Sequence, residues 1–183
     1  MKSRQALVRA VEAVTFLFAA FSGFLKGMAP PEEATSFFSV GIASFLTLCI
    51  FLFLSARIKK KSRMAGRRLW VGAAGALTVV ALAAALLYWH NRERLTYPYP
   101  PENPEAEYIA GTEYTPRAAA LAATAEFSPS QIVARFGGLP NRHLVWSPAS
   151  IERAKMILVA SYLLFVLSIA GAVFSLVELG TGV

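Results

Sequence analysis

Aspartate is missing from this chain, cysteine occurs once and histidine twice, and all eleven acids are glutamate. A metal centre, or a nucleophile with its base and acid, needs several such side chains to converge on one point. Cys49, His90 and His143 have no second ligand at a recognisable spacing. The chain therefore reads as non-enzymatic, with no cofactor and no metal site. A lone cysteine also excludes a disulfide within the chain. Set in an apolar run, Cys49 reads as a packing residue, since a thiolate is strongly disfavoured there. Glycine-rich phosphate loops are missing too, and Gly137-Gly138 reads as a helix stop. Charge itself is scarce, at 16% of residues against 56% hydrophobic and a mean hydropathy of +0.50. That is the composition of a polytopic membrane protein, with little material left for a separate soluble domain.

What the chain has in quantity is long apolar runs. A hydrocarbon core about 30 Å thick needs roughly 20 apolar residues as a helix, because the spanning backbone must satisfy its own N–H and C=O groups. The segments near 8–29, 34–56, 69–90 and 154–179 all meet this requirement. The expected fold class is all-α: one polytopic domain over 1–183 with four transmembrane helices. A small extracytoplasmic helical cap is expected at 91–150, between the third and fourth. The first run reads as a retained span rather than a cleaved leader, since it is long and no small-x-small site precedes Pro30-Pro31.

The formal charge of +7 would suggest nucleic acid on a soluble surface, but its distribution points elsewhere. Lys2, Arg4 and Arg9 precede the first span, and Arg57, Lys59, Lys60, Lys61, Arg63, Arg67 and Arg68 follow the second. Between Arg92 and Lys155, seven bases balance seven glutamates. The positive-inside rule then places both termini and residues 57–68 in the cytosol of a bacterial inner membrane, and the long third connection outside. Direct nucleic acid binding is not expected. The basic turn attracts anionic lipid headgroups at about 1 kcal/mol per base. A cytosolic protein partner of acidic character is the sharper reading of the same cluster.

Local signals divide the outer connection. Four prolines between Leu95 and Glu105 forbid regular helix and favour extended geometry. Thr115-Pro116, Ser128-Pro129 and Ser147-Pro148 each pair an N-cap hydroxyl with proline at the first helical position, which predicts three helix starts. Ser128-x-x-Gln131 adds a capping box. The third start leads through Ile151 to Lys155, so the last helix should begin outside the hydrocarbon. Trp70 opens the third span and Tyr88-Trp89-His90 closes it, as interfacial aromatic residues do.

Candidate working surfaces are few. Ser161, Ser168 and Ser175 recur every seven residues and share one helix face. With Ala172 they read as a helix-packing seam, while lining of a pore is the alternative. Gly23-x-x-x-Gly27 and Gly72-x-x-x-Ala76 are further close-approach patterns, and together they favour a homo-oligomer. Tyr97, Tyr99, Tyr108, Tyr114 and Trp146 read as an aromatic outer surface, lying on headgroups or capturing a ligand.

The pattern Glu113-Tyr-Thr-Pro, then Ser128-x-x-Gln with Phe136-Gly-Gly, then Val145-Trp-Ser-Pro-x-Ser-Ile151 leading into a final span, is similar to connections in small membrane components of bacterial conflict systems. In architecture, four spans with short ends resemble the membrane subunit of Kiwa-type antiphage defence and related membrane effectors. The resemblance implies an oligomer that senses envelope perturbation or permeabilises the membrane, with a cytosolic partner. It carries over no functional residue. An accessory subunit that stabilises a larger transport or respiratory complex is the other reading.

Overall fold

The structure, a computed structural model, describes Pro31, Leu46, Cys49 and residues 63–100, 107–124 and 126–180. Apart from Leu46 and Cys49, the first two expected spans lie outside the described residues, together with Gly23, Gly27, Arg57, Lys59, Lys60 and Lys61. In chain order the elements are helix α1 (Arg63–Leu95), strands β1 (Thr96–Pro98) and β2 (Glu107–Ile109), helices α2 (Pro116–Ala122) and α3 (Pro129–Arg135), a 3-10 helix (Leu139–Leu144) and helix α4 (Pro148–Gly180).

Helices α1 and α4 are 33 residues each, and both are long and apolar enough to cross a membrane. The rise from Leu69 to Trp89 is about 30 Å, the thickness of a hydrocarbon core. On α1, Trp70, Ala74, Ala81, Ala84 and Tyr88 are buried and recur at helical spacing. The opposite face, through Val71, Val79, Leu82 and Leu86, is exposed and equally apolar, with Leu86 at 74%. A helix apolar all round has no face suited to water. Helix α1 extends past both ends of its apolar run, taking in Arg63, Arg67 and Arg68 at its start. Bases there oppose the helix dipole, so helix stability does not explain them. Arg92 and Arg94 in the last turn complement the dipole.

The chain divides into two compact units. In the first, α1 up to Leu86 and α4 from Tyr162 meet edge-to-face at Trp70 and Phe174, with ring centroids 5.8 Å apart. Leu77 is seated against Gly171, where an added Cβ would fall 2.9 Å from its Cδ1. Because 70 pairs with 174 and 77 with 171, the two helices run antiparallel. Trp70 and Tyr88 are thus turned into protein, and of the three aromatic residues at the ends of the apolar run only Trp89 is exposed, at 55%.

The second unit contains Leu87–Ser161 and holds the cap. All three predicted helix starts are present in it. Thr115 Oγ1 accepts from Ala118 N (3.4 Å) and donates to Leu144 O (2.7 Å). Ser128 and Gln131 form a complete capping box, with Ser128 N donating to Gln131 Oε1 at 2.8 Å. Ser147 Oγ accepts from Ser150 N (3.3 Å), so α4 begins at Pro148, ahead of its apolar portion. Helix α3 stops where Gly137 and Gly138 take φ of 91° and 87°, and Gly138 N donates back to Val133 O at 2.9 Å. The start of the proline-rich stretch is extended, as expected, and adds a short strand pair to the expected all-α fold. Its first residues pair antiparallel with β2, in the register Thr96↔Ile109, Tyr97↔Tyr108 and Pro98↔Glu107. A three-residue ladder tolerates proline at its end because no further rung needs the missing N–H.

Candidate functional site

The cap is where chemistry-bearing side chains gather. Tyr108, Ala110, Ala118, Ile132, Val133, Val145, Trp146 and Ile151 form its core, with Tyr97, Tyr99, Phe127, Phe136 and Leu139 packed around it. Each element contributes through its own spacing. Ile132 and Val133 come from the inner face of α3, Tyr108 from β2, and Ile151 from the first turn of α4. Ser130 Oγ donates to Pro98 O (2.6 Å), tying α3 to β1.

The five aromatic residues expected to share an outer surface are brought together, but not as a surface. Tyr108 and Trp146 are each 1% exposed and form the centre of the core, 5.9 Å apart between centroids. Tyr97 and Tyr99 flank Tyr108 at 6.3 and 6.1 Å, and Tyr114 stacks on Trp146 at 5.6 Å. Of the five, Tyr114 alone is exposed; Tyr97 and Tyr99 are half-buried. The correction has a simple cause. Aromatic side chains each offer 150–250 Å² of surface on typical figures, and a cap this small has little else large enough to fill its centre.

The Tyr108 hydroxyl is buried and makes no hydrogen bond. Burial pushes its phenol well above the ordinary tyrosine value, and the neighbouring Tyr114, Tyr97 and Tyr99 add to the shift. Ser130 pulls the other way, although its own hydroxyl hydrogen is given to Pro98 O. Burial also raises the Tyr114 phenol. Charged groups of the cap sit at its rim, as Arg92–Glu107 and Arg153–Glu113 pairs at 3.0 Å and Arg135 lying 3.7 Å over the Phe127 ring.

Elsewhere, Ser161, Ser168 and Ser175 are all buried. Their hydroxyls donate to carbonyls of their own helix, at Ile157 O, Leu164 O and Gly171 O, 2.7–2.8 Å away. Gly72 and Ala76 lie on the exposed face of α1, and nothing stands within 4 Å of a Cβ built on Gly72. Arg67 and Arg68 are exposed. Among the described residues no group of three His, Cys, Asp or Glu is placed to hold a metal ion.

Two features escaped the sequence reading. Glu178, 8% exposed near the end of α4, is a partnered buried carboxyl; its signal was a lone acid inside Leu176-Val-Glu-Leu179. Gly111 lies against Trp146, with an added Cβ 2.5 Å from Trp146 Cβ. No local pattern marks it.

No family model matches the chain, and neither a curated protein nor a solved structure does. The class that the fold and this site define is a mostly helical protein, with two helices among the described residues able to cross a membrane and a folded, aromatic-cored cap between them in sequence.

Proposed function

We propose that this chain is a non-enzymatic component of the bacterial inner membrane, with four spans, that assembles as a homo-oligomer and acts as a sensor or membrane-perturbing effector. The observation that carries the reading is the use made of the cap. Tyr108 and Trp146 fill its core with Tyr97 and Tyr99 packed against them, and Arg92, Glu107, Glu113 and Arg153 pair at its rim while Arg135 lies over a ring. A segment so organised works through its shape and contacts. Placement in antiphage defence is supported by the architectural resemblance alone. The seam reading of the serine stripe is supported by the burial of all three side chains, since small residues let helices approach closely.

The exposed aliphatic face of α1 favours a second reading, an accessory subunit of a larger transport or respiratory complex, because a neighbouring subunit would cover it. Native mass measurement in lipid nanodiscs separates the two. A self-assembled oligomer from the chain expressed alone, with loss of membrane potential in the expressing cells, is the expected result. Stability only beside other subunits sinks the oligomer reading.

Orientation has its own test. In a Cys49→Ala background, Arg68→Cys should resist a membrane-impermeant thiol reagent in intact cells while His143→Cys reacts. Both sites are exposed on the protein, so reagent access reports sidedness. Labelling at 68 and protection at 143 would invert the topology.

A further inference from the structure

Segment Glu107–Glu113 touches both long helices, and the ties are sorted along its length. At its beginning, Glu107 Oε2 pairs with Arg92 of α1 at 3.0 Å. Three residues on, Ala110 N donates to Leu95 O, the last carbonyl of that helix, at 2.8 Å. At its end, Glu113 O lies 3.2 Å from Ser150 Oγ in the first turn of α4, whose one hydrogen it shares with Ser147 O (2.9 Å), and Glu113 Oε1 pairs with Arg153 one turn further on (3.0 Å). Ile109 and Ala110 are buried. Gly111 is pressed so closely onto Trp146 and Ser150 that a Cβ would fall 2.5 Å from Trp146 Cβ and 2.7 Å from its Cγ.

We propose that Glu107–Glu113 is a strap that sets the spacing between the Leu95 end of α1 and the Pro148 end of α4, with Gly111 as its pinch point. The main-chain ties to the two helices, at Ala110 and Glu113, are three residues apart, and three extended residues reach about 10 Å. Packed helix axes lie about 8–10 Å apart. With the 2.8 and 3.2 Å bonds at its ends, the strap lets Leu95 O and Ser150 Oγ lie at most about 16 Å apart, and so limits how far the two helix ends can part. The exposed ion pairs at its two ends contribute little alone. The main-chain bonds and the close seat of Gly111 are what fix its length. Both helices that the strap ties run on into the candidate spans. This device does not depend on what the chain assembles with.

The test is a spin-label distance measurement on the full chain in nanodiscs. Labels go on His90→Cys of α1 and Met156→Cys of α4, both exposed, in a Cys49→Ala background. Dilution with unlabelled chains ensures that only distances within one chain are read. With the native strap the distribution should be narrow. Gly111→Val forces the strap off Trp146 and should shift it to longer distance and broaden it. Ser150→Ala combined with Arg153→Ala removes both ties to α4 without overfilling the core, and should shift it the same way. That pair decides the matter if Gly111→Val does not accumulate. Phe127→Ala, in the cap but off the strap, should leave the distance in place. An unchanged distribution in the Ser150/Arg153 variant, or an equal shift with Phe127→Ala, overturns the proposal.

Discussion

Replacing Ser161, Ser168 and Ser175 together by leucine is expected to leave no folded protein after detergent extraction, while the triple alanine variant is expected to behave like wild type. The difference follows from what the three side chains do. They are buried, and each hydroxyl bonds only within its own helix. Alanine therefore removes no bond to another helix, and each change should cost under about 1 kcal/mol. Leucine has no room. Overfilling a packed site costs about 1–3 kcal/mol each, and the sum of three approaches the whole stability of a typical domain, about 5–15 kcal/mol. Size-exclusion profiles and thermal unfolding of the two triple variants read this directly. If the leucine variant instead assembles normally and only a wild-type dye leak is lost, the stripe lines a pathway and the seam reading fails.

The cap should respond to Tyr108 with opposite signs. Tyr108→Ala opens a cavity at the contact with Trp146 and should cost about 3–5 kcal/mol, enough to unfold the cap. Tyr108→Phe keeps the ring and removes a buried hydroxyl that has no hydrogen bond. Leaving such a group unsatisfied costs about 1–3 kcal/mol, so phenylalanine should stabilise by roughly 1 kcal/mol. Near-UV circular dichroism during thermal unfolding follows both.

The same ring predicts a pH dependence. The folded phenol is held protonated well above the ordinary value, whereas in the unfolded chain it ionises near pH 10. Above about pH 10 the unfolded state therefore binds fewer protons than the folded one, and stability falls as pH rises. Tyr108→Phe should remove that component of the alkaline loss. A wild type and a Tyr108→Phe variant with parallel alkaline curves would show that this hydroxyl is hydrated or bonded in solution.

Much of this molecule is visible in local sequence because the signals are local. A helix start depends on one hydroxyl, one proline and the next few N–H groups, so Thr115, Ser128 and Ser147 announce α2, α3 and α4 without help from the rest of the chain. The two glycines that end α3 do the same through their positive φ. Apolar length likewise marks α1 and α4 as able to cross a membrane, since hydrocarbon thickness sets one requirement for any helix.

Burial was a different matter. Nothing near Tyr108 or Trp146 distinguishes a core aromatic residue from a surface one, because burial depends on neighbours distant in the chain. Tyr108 meets Trp146 across 38 positions, and both look interfacial when read beside their own prolines and acids. Gly111 is the sharpest case. Its flanking residues, Ala110 and Thr112, suggest an ordinary loop, and only the arrival of Trp146 and Ser150 removes the space for a side chain. Composition and spacing marked α1 and α4 as long apolar helices and placed the starts of α2, α3 and α4. Only the tertiary structure decided which faces are covered, because an N-cap is satisfied within one turn of chain, whereas a buried ring or a pinched glycine exists only once separate segments have closed on it.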